Sequence, residues 1–207
     1  MMDTKVILQK SQQAARQAGF PDPAPLPLLE GDLQPRGLED VISRCLCLHA
    51  VAAVSFGFDR RRALDWLERE ELVSQLTPLE AAFIHGRGSA ERFQVQVEAL
   101  WALAWALAIV PRLDFGTVCS DDFVEMLPDL KAGAGGGSLR KQARLRPLIE
   151  LVEALDLAYC LHWGIREAEL RRKRAPGRVA PYVVEERRRA LEWLLSDQEW
   201  DEVQLDT

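Results

Sequence analysis

The sequence predicts an all-α protein, a compact bundle of about seven to nine helices around a central apolar helix. Apolar residues recur at helical spacing between Pro and Gly positions, and no segment alternates strictly enough between apolar and polar residues to predict a strand. The central helix is predicted over residues 89–110, because the run after Glu98 (ALWALAWALAIV) is apolar on every side and leaves no face for solvent. That run is too short to cross a bilayer, so no membrane contact is expected.

Length and composition predict a single folded domain over residues 1–207. A chain of 207 residues can bury a substantial core, and its 48% of hydrophobic residues excludes a disordered protein. Within the domain we expect an N-terminal helix and arm over 1–36, a helical core over 37–196 and an acidic C-terminal tail over 197–207.

The first third of the chain contains one segment that is unsuited to helix. Helices are predicted over residues 4–18, ended by Gly19, and over 38–56. Between them, residues 21–35 contain five prolines, which exclude a helix and predict an extended proline-rich arm on the surface.

Local start signals predict most of the remaining helices. Asp59 is a predicted N-cap for residues 60–71, and Thr77 followed by Pro78 and Glu80 is typical of a helix start. Ser89 opens the predicted central helix. Further helices are predicted from Ser120, over 139–172 with a bend near Pro147, and over 181–195, and the Gly-rich segment 133–138 is interpreted as a flexible connector.

Cysteine usage and the N-terminal residues predict a cytoplasmic protein. Residues 1–19 carry scattered basic residues and no apolar core of a secretory signal. The four cysteines show no spacing typical of a disulfide framework, which favours free thiols in a reducing compartment.

Charge is unevenly distributed along the chain. Residues 140–189 contain 13 basic and 7 acidic side chains, a balance of +6, so the rest of the chain carries −12. Such asymmetry is found on surfaces that face a partner, and also where an acidic tail folds back on a basic face.

Several stretches in the same order resemble a bacterial family known only as domain of unknown function 4272. They extend from about Leu26 to the C-terminus and comprise RRALDWL (61–67) with LTP (76–78), EALWALAWAL (98–107), LDL (155–157) with LHW (161–163), ERR (186–188) with AL (190–191) and WL (193–194), and WDEVQLDT (200–207). The resemblance implies an all-helical domain of about this length and carries no established activity. Family members often have a shorter connection where this chain has its Gly-rich segment, so that segment is a poor place to look for shared function.

No motif in the sequence specifies a metal, a cofactor or a nucleic acid. Cys45 and His49 could share a helix face, but Cys47 lies about 200° around the helix from Cys45, so the three side chains cannot reach one ion. The Gly-rich segment lacks the Lys and the preceding strand of a phosphate-binding loop. The basic run 171–174 has no interleaved aromatic residues, and the net charge of −6 disfavours backbone binding, so nucleic-acid binding through residues 171–178 ranks last among the hypotheses.

Polar residues on otherwise apolar helix faces form the candidate site. They are Glu98, Asp156, His162, Arg166 and Arg187. If the helices pack together, a carboxylate from Glu98 or Asp156 could meet Arg187 or His162 in the interior. Buried charge needs a partner, so the cluster is either a structural network or a ligand pocket with a tuned histidine or carboxylate. A third possibility is that these side chains face solvent.

These observations favour a non-catalytic cytoplasmic protein that binds another protein or a second copy of itself, such as a toxin-neutralising immunity protein. The basis is the charge asymmetry, the acidic tail and the surface arm, together with the lack of a catalytic motif. The alternative is an enzyme or small-ligand binder that uses the Glu98, Asp156, His162 and Arg187 cluster.

Trp101 and Trp105 lie at helical spacing among Leu and Ala, which predicts a place in the core. Replacing either by Ala should lower the free energy of unfolding by about 3–5 kcal/mol, because it leaves a large cavity. Urea denaturation checks this, and a loss below about 1 kcal/mol would contradict a core position.

Overall fold

The computed structural model describes residues 4–21 and 33–206, and these form nine α-helices with no β strand. The all-α prediction is confirmed. The helices are α1 (Thr4–Gln17), α2 (Leu38–Ser55), α3 (Arg60–Arg69), α4 (Pro78–Ile84), α5 (Ala90–Gln94), α6 (Val97–Ala106), α7 (Gly137–Gln142), α8 (Leu148–Leu170) and α9 (Pro181–Leu194). Three short 3₁₀ helices span Val73–Gln75, Asp121–Met126 and Trp200–Glu202. Most of the proline-rich arm lies outside the described residues.

The start signals read from the sequence operate as predicted. The Asp59 side chain accepts a hydrogen bond from the Arg62 amide at the start of α3. Thr77 and Glu80 form a reciprocal capping box at the start of α4, with Pro78 at its first position. Each device satisfies amide groups that the first turn of a helix leaves without partners.

The helices pack in a continuous order across the molecule. α1 packs against α8, α8 against α9, α9 against α6, and α6 against α2. On its other side α2 packs against α3, α4 and α5. Eight of the ten residues of α6 and thirteen of the eighteen residues of α2 are buried. The predicted apolar helix is therefore central, and it shares this place with α2.

The predicted helix over 89–110 is two helices in the structure. α5 ends at Gln94 and α6 begins at Val97, and α6 stops at Ala106 with Ala108 in the left-handed region at φ 56°. The carbonyls at the end of α6 find other donors, because the amides of Arg144 and Arg146 bond to Leu107 and Ala106. A distant segment thus bonds the last carbonyls of the helix, beside the local hydrogen bonds from the Ala108 and Ile109 amides to the Trp105 and Ala104 carbonyls.

The predicted helix over 139–172 is also divided. α7 ends at Gln142, residues 143–147 are not helical, and α8 begins after Pro147. Proline disfavours helical geometry in the residue before it, and the amides of Arg144 and Arg146 are engaged by α6. The helix predicted from Ser120 is the 3₁₀ helix Asp121–Met126.

The Gly-rich segment is docked on α3. Trp66 Nε1 donates to the Ala134 carbonyl at 2.8 Å, and the Gly136 amide donates to Glu70 Oε2 at 3.1 Å. It is therefore an ordered connector and not the flexible one that its composition predicted.

The C-terminal tail folds onto the helical core. Trp200 is buried and packs edge-on against Trp193, with ring centroids 5.6 Å apart. Arg188 donates to the carbonyl of Asp206 at 2.9 Å. The tail contacts α9 through apolar and backbone groups as well as through its charges.

No helix among residues 4–21 and 33–206 is long and apolar enough to cross a membrane.

Phe20 joins the end of α1 to α8. Its buried ring fits between Gly164 and Gly177, where an added Cβ would come within 2.9 Å and 2.8 Å of ring carbons. Two residues without side chains therefore form the slot that holds this aromatic ring.

Replacing Gly164 by Val should displace Phe20 and lower the free energy of unfolding by about 1–3 kcal/mol, the usual range for overpacking. Gly137→Ala is the matched control, because nothing lies within 4 Å of its Cβ position and it begins α7. Urea denaturation compares the two variants, and equal stabilities would contradict the slot.

Candidate functional site

A buried ion pair joins the central helix α6 to α9. Arg187 of α9 donates through Nε and Nη2 to Glu98 Oε2 of α6, at 2.9 Å and 2.6 Å. Both side chains are about 1% exposed. The structure thus brings together two of the five residues singled out in the sequence.

The same pair holds the loop that follows α6. Arg187 also donates to the carbonyls of Asp114 and Thr117, and the Cys119 amide donates to Glu98 Oε1 at 2.9 Å. Both carboxylate oxygens and all three guanidinium nitrogens therefore have partners. A fully bonded, buried pair favours a structural role, because no group remains to bind a ligand.

A second buried ion pair escaped the sequence analysis. Arg44 of α2 donates through Nη2 to both carboxylate oxygens of Glu80 in α4, and both residues are at most 5% exposed. The Arg44 guanidinium also lies 5.3 Å from the centre of the Trp200 ring. A lone Arg within the apolar run of residues 41–54 was the signal that could have revealed it.

Asp156 lies apart from the Glu98 and Arg187 pair, between α1 and α8. It accepts a hydrogen bond from Ser11, which partly offsets the burial that raises the pKa of its carboxyl. Within the described part of the chain its Oδ2 has no hydrogen-bond partner. Its position favours a role in the docking of α1.

His162 pairs with Arg188, a residue that the sequence analysis did not include in the candidate site. Arg188 Nη1 lies 2.8 Å from His162 Nδ1, and because arginine only donates, Nδ1 is the acceptor. The neutral ring therefore carries its proton on Nε2. Burial and then the cations Arg188, Arg166 and Arg189 lower the pKa of His162 to about 4.

The Nε2 side of His162 faces a surface depression of about 520 Å³. Its walls are His162, Arg166, Glu185, Leu205 and Asp206. Glu185 Oε1 is 4.0 Å from His162 Nε2, too far for a hydrogen bond. Arg166 is half-exposed and paired with Glu169. The candidate residues thus divide into a buried pair, a separate carboxylate and this open depression.

A larger groove of about 1050 Å³ lies on another face of the molecule. One wall is formed by the end of α2 and the start of α3, and the other by residues 119–131, and Val97 and Leu100 of α6 complete the lining. Phe56 and Val124 stand on opposite walls and are 64% and 62% exposed. Sequence reasoning did not find this groove, because its walls come from segments about 65 residues apart.

The two walls of the groove are held together by fixed contacts. His49 Nε2 lies 2.8 Å from the Pro128 carbonyl, and Arg62 donates to the Lys131 carbonyl at 2.7 Å. His49 Nε2 is the donor, because a carbonyl oxygen only accepts, and burial lowers the pKa of His49 and so favours the neutral ring. The groove is therefore preformed.

Metal-binding groups do not converge in the structure. Among the described residues no three His, Cys, Asp or Glu side chains are placed to hold a metal ion. Burial raises the pKa of Cys45 and of Cys47 to about 12, and metal ligation requires the thiolate.

Comparison with known protein families identifies the family of the chain. Residues 8–203 match the family described as Domain of unknown function (DUF4272). The chain belongs to this family. No curated protein and no solved structure matches it. The family match covers the Glu98 and Arg187 pair and the groove, and it covers His162, Arg166 and Glu185 of the depression but not Leu205 and Asp206.

Arg187→Ala should lower the free energy of unfolding by about 3–5 kcal/mol, because it leaves Glu98 buried without its cation. Urea denaturation measures the change. Arg166→Ala, which removes a half-exposed cation from a surface pair, is the control and should change stability by less than about 1 kcal/mol. Similar losses for both variants would contradict a dominant role for the buried pair.

The pKa of His162 predicts a loss of stability in acid. The unfolded chain protonates this ring near its ordinary pKa of 6.5, whereas the folded protein does so near 4, so stability falls as the pH drops through this window. The slope from one proton is at most about 1.4 kcal/mol per pH unit. His162→Gln should flatten this dependence in urea denaturation between pH 7 and 4.5. The exposed His85 supplies the control His85→Gln, and an unchanged dependence in His162→Gln would contradict the assignment.

Proposed function

We propose that the protein is a non-catalytic, cytoplasmic protein-binding protein that docks a partner in the groove between α2 and residues 119–131. The observation that carries this proposal is the pair of exposed apolar side chains, Phe56 and Val124, on opposite walls of a preformed groove. Large apolar side chains placed together on a surface are typical of interaction sites.

The exposure of Phe56 is unusual for its type in this chain. The rings of Phe20, Phe83, Phe93, Phe115 and Phe123 are each at most 9% exposed. Leaving a phenylalanine in water forgoes about 1.5–3 kcal/mol that burial would provide. A partner that covers Phe56 would recover this energy on binding.

The central polar groups support a function without catalysis. Glu98 and Arg187 are buried and occupied by each other and by backbone groups of residues 114–119. The free cysteines support a cytoplasmic location, because disulfides are rare in that compartment. Cys45, Cys47 and Cys160 are buried thiols, and Cys119 is a partly buried one. An antagonist of another protein, such as an immunity protein, is one form that this function could take, and self-association is another.

A second candidate function is binding of a small ligand in the depression beside His162. The Nε2 proton of His162 and the Arg166 guanidinium supply donors there, and Glu185 supplies an acceptor. This candidate ranks second because the depression is small and open to solvent.

Native mass spectrometry of the tagged protein, recovered gently from lysate of its source organism, tests both candidates. We expect a stoichiometric second polypeptide with the wild type, and its loss with Phe56→Asp, because the charge would be driven into the apolar contact. Leu170→Asp is the matched control, since Leu170 is 78% exposed at the end of α8, and it should keep the partner.

Two results would change the assignment. A polypeptide retained equally by Phe56→Asp and Leu170→Asp would contradict docking in the groove. A small adduct that is present in the wild type and absent in His162→Gln would favour the ligand-binding candidate instead.

A further inference from the structure

We infer that the groove takes an amphipathic α-helix of a partner protein, with its apolar face inward and Lys or Arg on its flanks. This inference rests on the proposed protein-binding function and specifies the chemistry of the partner.

The net negative charge of the groove lining favours a basic partner. Its lining contains four carboxylates and two cations, a net charge of −2. The carboxylates are Asp59 on one wall and Asp121, Glu125 and Asp129 on the other. The cation Arg62 stacks on Phe58 and donates to the Lys131 carbonyl, so it is held by the protein itself. Flanking Lys or Arg side chains of a partner would meet carboxylates on both sides.

The apolar residues of the groove lining favour a partner segment that has one apolar face. The lining includes Val97 and Leu100 of α6, which are partly or fully buried, and Phe56 and Val124, which are exposed. A ligand seated there meets these apolar groups together with the carboxylates of the lining. Apolar side chains at positions i, i+3, i+4 and i+7 of a helix match this arrangement.

Two features favour a helix over an extended peptide. An extended peptide commonly binds by adding a strand to a sheet edge, and residues 4–21 and 33–206 contain no strand to extend. The volume of about 1050 Å³ also matches a helix about 10 Å wide over roughly two turns. The partner helix would therefore pack as a further helix of the bundle.

Fluorescence anisotropy with two synthetic peptides tests the inference. Both probes are fluorescein-labelled 18-residue helices with Leu on one face; the other face carries Lys in the first and Glu in the second. We expect the Lys peptide to bind at least tenfold more tightly than the Glu peptide, with an affinity that falls as salt rises, because the attraction is electrostatic.

Charge-reversal variants separate the groove from the general acidity of the chain. Asp121→Lys/Glu125→Lys should weaken binding of the Lys peptide at least tenfold. Both carboxylates are exposed and lie on the wall that carries Val124, so the fold should tolerate their loss. Asp197→Lys/Glu199→Lys makes the same change in charge at exposed positions outside the groove, and it should leave the affinity within about twofold. Phe56→Ser should abolish binding of the Lys peptide, because it removes the apolar contact without adding a charge to the groove.

Three outcomes would overturn the inference: equal binding of the two peptides, no binding of either, or equal weakening by the two double variants. The proposed function is judged separately from the partner that co-purifies. A partner lost with Phe56→Asp but kept with Asp121→Lys/Glu125→Lys would leave protein binding standing and reject a basic helix. The absence of both a partner and peptide binding would reject both.

Discussion

The buried pair of Glu98 and Arg187 is the interaction on which the arrangement of the molecule depends. It joins α6 to α9, the helices that connect the α1–α8 side of the bundle to the α2 side. Its remaining hydrogen bonds hold residues 114–119 against the start of α6 and the middle of α9. A pair at this depth adds little net stability over apolar packing, but it penalises any arrangement that separates the charges.

The groove is a consequence of this arrangement. Residues 119–131 begin at Cys119, whose amide donates a hydrogen bond to Glu98. Further along, hydrogen bonds from His49 and Arg62 hold the segment. The buried pair thereby positions one wall of the surface to which we assign partner binding. The ion pair and the groove are thereby connected through residues 119–131.

Helix ends show where local sequence stops deciding the structure. Caps at Asp59, Thr77 and Ser89 act over two or three residues, so they could be predicted from the sequence. The last carbonyls of α6 also accept hydrogen bonds from amides about 40 residues away at Arg144 and Arg146, and no local pattern contains that information. The same engagement of 144–146 separates α7 from α8. Composition also gave a wrong prediction of flexibility for the Gly-rich segment. The segment docks on Trp66 and Glu70, and this tertiary contact cannot be predicted from composition.

The sequence by itself determined that the chain is helical, which segments begin helices and which run is central. It also placed Glu98, His162 and Arg187 on helix faces shared with apolar residues. Periodicity and capping encode these properties locally. Tertiary structure alone decided that Glu98 meets Arg187, that Asp156 faces Ser11, that His162 meets Arg188, and that Arg44 meets Glu80. The position of a residue around its helix indicates the direction of its side chain, but it does not indicate which other helix that side chain contacts. Only the packing of distant helices therefore distinguishes a buried structural pair from an open groove.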